Sequence, residues 1–315
     1  MRLSHWILSV LLCCISFTAS AQKKISYRFA TRAEAQMLIT DIDNFTNRLN
    51  SFDINLRLGK ENGRKSELLR LAMNETLNWS ETEKKKITAV FKSLQTKIDK
   101  QKLKIKYPQE VILAKTSMKE EMNVAAYTRR NWIALGEKYI DESTPESLEY
   151  LLAHEMFHLL TRSNKDFKKS VYSVIGFNVI DRELFFPIDI IEKRISNPDI
   201  EMYDSYAEFT INGQKQKCSM MIYSAIPFSA EKMLSDHLCV GLIPLSDSLI
   251  PLQENGQTVI YSIDQAEDFY QKIGKNTEYI INPEEILADN FAYLVTQKKN
   301  LPNPEIIQKI AAILK

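Results

Sequence analysis

The chain has 315 residues, with 41 Lys and Arg against 40 Asp and Glu, so no basic excess is present to hold nucleic acid or an anionic membrane surface. Only 8 glycines and 10 prolines leave little material for a long linker, and a helix-rich, ordered body of one large or two modest domains is expected. Beyond the first 21 residues no stretch is long and apolar enough to span a bilayer.

Residues 1–21 read as a cleavable secretory signal. Arg2 precedes an apolar run from Trp6 to Phe17, and the small residues Ala19-Ser20-Ala21 end it as an A-x-A cleavage site. Loss of Arg2 alone leaves 40 basic against 40 acidic residues, so the mature chain from Gln22 is expected to be neutral, and secreted or periplasmic. Two of the four cysteines leave with the signal. Cys218 and Cys239 are then open to two readings, a disulfide in an oxidising compartment or two buried thiols.

Residues 22–107 are expected to form an N-terminal helical region. Leu38, Ile42, Phe45 and Leu49 recur at helical spacing, as do Leu68, Leu69, Leu71, Ala72 and Leu77. Ser80 and Glu83 form a capping box, opening a Lys-rich helix with Ile87, Val90, Phe91, Leu94 and Ile98 on one side. Short β-like runs follow at 110–114, 124–128 and 132–135, suggesting a small sheet. Thr144, Pro145 and Glu146 then supply an N-cap, a first-turn proline and an acidic first turn for a helix reaching about Arg162. Helix is expected again around 166–175, a hairpin at Asn212-Gly213, strand-like runs at 237–245 and 258–262, and helices at 264–273, 283–297 and 304–314. Strands and helices in that order predict an α+β fold.

The chemistry lies in the helix after Thr144, in the segment His154-Glu155-Met156-Phe157-His158. Histidines four apart share one helix face and can grip a single zinc ion, while Glu155 points about 100° away and can reach a water on that ion without binding it. The alternative is a pair of core histidines beside a chance glutamate, although only four histidines occur in the chain. A third metal ligand is required. Glu285 is favoured, with Asp289 one turn later to hold a ligand histidine; Glu284, Glu183 and His237 are the competing candidates. An oxyanion donor could come from Tyr279 or His237.

The pattern His154-Glu155-x-x-His158 with Glu285-x-x-x-Asp289 resembles the gluzincin, thermolysin-like zinc metallopeptidases. The resemblance implies that His154, His158 and Glu285 bind one Zn2+, that Glu155 is the general base, and that the substrate is a peptide or protein. It also implies a zincin-like domain over 108–315, in which the Trp132–Leu135 strand is an edge that aligns the substrate. Glu285 lies 127 residues beyond His158, so residues 163–280 would form a large insertion containing the hairpin. Two other functions fit the same chain: a non-catalytic binding or assembly protein that keeps the fold, and a zinc hydrolase of non-peptide amides or esters.

Overall fold

The computed structural model describes residues 24–315. The expected signal peptide and its cleavage point lie outside the described residues. No helix among the described residues is long and apolar enough to cross a membrane.

The N-terminal region is helical, but not as one stripe. Thr31 caps Arg32–Ile39, Asp43 caps Asn44–Arg48, and Asn50 caps Ser51–Leu58, which stops at Gly59 with φ +62°. The expected Leu38–Leu49 helix is therefore broken. Asp43 offers its side chain to the Thr46 amide, which favours a new start over continuation. Lys65–Glu75 follows, and then Glu81–Gln101 begins at the Ser80/Glu83 capping box and buries Ile87, Val90, Phe91, Leu94 and Ile98 as expected.

Tyr27–Phe29 is a strand, which sequence periodicity missed because three residues carry no usable period. It pairs in parallel with Val111–Thr116, which pairs in parallel with Trp132–Gly136, and Ala126–Arg129 closes the sheet antiparallel. This order corrects one expectation. Trp132–Leu135 is flanked on both sides, and the edges are Tyr27–Phe29 and Ala126–Arg129.

One continuous apolar core joins the long N-terminal helix to the rest, running from Trp79 through Ile87, Phe157 and Phe291 to Leu314. At its centre lies the helix Pro145–Ser163, capped by the Thr144 hydroxyl with proline at its first turn. Most of its length is buried on all sides, as expected for a helix apolar nearly all round. Pro283–Thr296 packs against it, started by Asn282 and again a first-turn proline.

Between these helices the chain makes Lys165–Ser173 and a five-stranded antiparallel sheet, in the order 261–262, 239–245, 214–223, 205–211, 177–179. The hairpin turn has Asn212 and Gly213 at φ 51° and 72°, the left-handed pair that a type I′ turn demands. In the strand pair, Cys218 faces Pro244 and Cys239 faces Tyr223. Five register positions separate them, roughly 17 Å at strand rise, so the disulfide does not form and both thiols are free. Burial pushes the Cys218 thiol up to about 12.

Candidate metal centre

His154 and His158 leave the Pro145–Ser163 helix on one face and meet the first turns of Pro283–Thr296. Each ring is held at Nδ1. His154 Nδ1 donates to Asp289 Oδ1 at 2.8 Å, and His158 Nδ1 donates to Glu284 Oε1 at 3.0 Å. With the proton fixed on Nδ1, both Nε2 lone pairs point into the space between the helices. Glu285 Oε2 lies there, 3.0 Å from His154 Nε2 and 3.7 Å from His158 Nε2.

With both rings neutral, two lone pairs would face the Glu285 carboxylate, an arrangement that a cation between them, or a second proton on His154, relieves. His158 Nε2 is fully buried with no hydrogen-bond partner, although an orphaned polar atom costs roughly 1–3 kcal/mol. Donors bonded at about 2.0–2.1 Å to a tetrahedral zinc stand about 3.3 Å from one another. The 3.0 and 3.7 Å separations bracket that spacing, and the three donor atoms lie within 4.8 Å of each other. Two imidazoles and one carboxylate are a donor set zinc accepts, so the residues fit the ion.

The supports are anchored in turn. Asp289 also accepts from the hydroxyls of Tyr150 and Thr277. Glu284 accepts from Thr161 Oγ1 at 2.6 Å and from Tyr172 at 2.5 Å. Glu284 is thus a buttress of His158 and not the third donor, because its side chain leaves the helix start about 100° away from Glu285. Burial opposes ionisation of both Glu284 and Asp289, yet their histidine partners hold the two carboxyls below the ordinary range. Burial would equally lower His154, but hydrogen bonds to Asp289 and Glu285 carry it well above its usual value. Without a metal, this pocket attracts protons.

Glu155 lies beside the donors and outside their set. Its Oε2 accepts from Thr128 Oγ1 at 2.6 Å, which ties it to the edge strand. A second group of donor atoms contains Glu155, His158 and Asp199, again within 4.8 Å. Burial first, and then the neighbouring Glu155 charge, raises the Asp199 carboxyl well above its ordinary value. Asn197 Nδ2 donates to Glu285 Oε1 at 2.6 Å. Asn197 and Asp199 had no signal in the sequence, where Asn-Pro-Asp reads as a turn.

Tyr279 is 44% exposed, and its ring lies 6.3 Å from that of His154. Burial and the carboxylates of Glu285, Asp199 and Glu155 raise its hydroxyl well above the usual value, so it keeps its proton and can donate. Its loop is pinned by Asn276, bonded to Asn290 and the Asn303 carbonyl.

The other two candidates fall away. His237 ends a short helix at Leu234–His237, with Nδ1 at 3.3 Å from Ser224 Oγ, Nε2 at 3.4 Å from the Ser229 carbonyl, and its ring between Phe52 and Phe228. Both nitrogens are occupied locally, so it is a packing histidine. Glu183 is paired with Arg48 at 2.9 Å on a half-exposed face.

Comparison of the chain with family models, with curated proteins and with solved structures gives no match in any of the three.

Proposed function

We propose that this chain is an exported zinc metallopeptidase of gluzincin type, in which a zincin-like domain hydrolyses peptide bonds with Glu155 as general base. The observation that carries the reading is the convergence of His154 Nε2, His158 Nε2 and Glu285 on one buried point, with the His158 nitrogen lacking any protein partner. Zinc held there would polarise the scissile carbonyl and lower the pKa of water toward ~7.

The chain's own groups account for the remaining steps. Thr128 holds Glu155 by Oε2, which leaves Oε1 to take the proton of the attacking water and pass it to the departing nitrogen. Tyr279, protonated and beside His154, donates to the oxyanion as it forms. Asp289 and Glu284 fix both histidines in the tautomer that presents Nε2.

The test couples metal content to turnover. Purified protein should hold one zinc per chain, and Glu155→Gln should keep that zinc while peptide hydrolysis falls by at least ~10²–10⁴, the range for general acid–base groups. Full activity in Glu155→Gln would end this mechanism. A zinc-loaded wild type that cleaves no member of a peptide library favours the binding or assembly reading, and turnover confined to simple esters or amides favours the third.

A further inference from the structure

Resting on the peptidase reading, we propose that Asp199 is the anchor for a substrate's α-ammonium group, so that the enzyme removes single apolar residues from peptides with a free N-terminus.

The edge strand sets the geometry. The Thr128 amide donates to Asp199 Oδ1 at 2.6 Å, so the Thr128 main chain faces away from the Trp132–Gly136 strand. By the two-residue period Ala126 faces the same way. A peptide added along this edge can pair at Ala126 but ends at Thr128, where the position a further substrate residue would take is filled by Asp199.

That obstruction is fixed. Ser196 donates from its amide and its hydroxyl to Asp53, both at 2.7 Å, and Arg57 donates to the Ser196 carbonyl at 2.6 Å. From the other side, Arg162 donates to the carbonyls of Pro198 and Asp199 at 2.8 and 2.9 Å. The segment is braced by the N-terminal helices and the motif helix together, which makes it a wall and not a lid.

The wall presents a carboxyl with a free oxygen. Asp199 is 8% exposed, no cationic side chain among the described residues pairs with it, and its Oδ2 takes no protein donor. A substrate carboxylate there would crowd a third acidic group against Asp199 and Glu155, whereas a cation offsets the proximity of those two. An ammonium satisfies the free oxygen and gains a charge-assisted bond. Beside Asp199 opens a cavity of about 110 Å³ whose wall is mostly apolar, with Val124, Ala126, Ile222 and Leu238, and which the ion-paired Arg57 and Glu121 also border. In the reaction a C–O bond forms from water and the C–N bond breaks. The water's proton moves through Glu155 to the leaving nitrogen, releasing one amino acid and a shortened peptide.

The experiment compares a leucyl peptide with its N-acetylated form on the zinc-loaded protein. The free amine should be hydrolysed at least ~10-fold faster in kcat/KM, the lower range for a charge-assisted hydrogen bond. Asp199→Asn should erase the difference mainly through KM, while one zinc per chain remains. Calorimetric binding of leucine hydroxamate and N-acetyl-leucine hydroxamate gives the same comparison without turnover. Equal cleavage and equal binding of the two forms overturns the proposal, as does loss of zinc in Asp199→Asn, which would make Asp199 a metal ligand. If neither peptide is cleaved, the peptidase reading has failed, and the hydroxamate preference alone decides the ammonium site.

Discussion

The helices Pro145–Ser163 and Pro283–Thr296 bring His154, Glu155, His158, Glu284, Glu285 and Asp289 to the centre on two packed rods, whereas Ile195–Asp199 brings Asn197 and Asp199 on chain with no helix or strand of its own. In the helices the backbone satisfies itself, and each donor's position follows from helical spacing and the packing of the two rods. In the segment, position comes from side chains elsewhere: Asp53, Arg57 and Arg162 hold its backbone groups directly. Under the proposed function, metal affinity would rest with the rods and substrate fit with the segment. The brace comes from the N-terminal helices, since Asp53 and Arg57 belong to Ser51–Leu58.

The largest effect should come from the rods. His158→Ala removes the orphaned donor and should lower zinc affinity by well over the ~10–100-fold typical of a supporting residue, measured by competition with a chromophoric chelator. Next, Arg57→Ala strands Asp53 and Glu121 as buried charges, 0% and 6% exposed. Breaking a buried ion pair costs about 3–5 kcal/mol, to be read by urea unfolding. Zinc stoichiometry should nevertheless stay at one per folded chain, and its loss would show that the rods depend on the brace.

Glu284→Gln should weaken zinc by ~10–100-fold, because a neutral amide holds the His158 Nδ1 proton less firmly. An unchanged affinity would mean that His158 is oriented by packing alone. A purely pH-dependent effect is predicted behind the edge strand, where burial raises the Glu120 carboxyl to about 7 and Tyr127 is its hydrogen-bond donor at 3.3 Å. The folded chain then binds this proton more tightly than the unfolded one. Stability therefore falls as pH rises from the unfolded carboxyl value of ~4.3 to about 7, by on the order of 3 kcal/mol. Glu120→Gln should be more stable than wild type at pH 8 and equal to it at pH 4, by thermal unfolding at both.

The motif helix, its Thr144 cap, the Ser80 box and the Asn212-Gly213 turn were all legible, because each depends on neighbours within a few residues. Glu285 and Asp289 were legible as a pair from one-turn spacing, and the motif resemblance led to the expectation that they meet the histidines across more than a hundred residues, where the structure places them 3.0 and 2.8 Å from His154. The Tyr27–Phe29 strand, the identity of the edge strand and the break at Asp43 depended on pairing and competition between segments, which no local window carries.

Local sequence thus determined which residues can be donors and which side of a helix they occupy, since helical geometry repeats every 3.6 residues whatever the context. Tertiary packing alone decided that Glu284 supports while Glu285 faces the histidines, that His237 and the two cysteines stand apart from any such role, and that Asp199 comes to rest beside Glu155. Those outcomes turn on distances between elements far apart in the chain, and hydrogen bonds and charges act only over the few ångströms that folding creates.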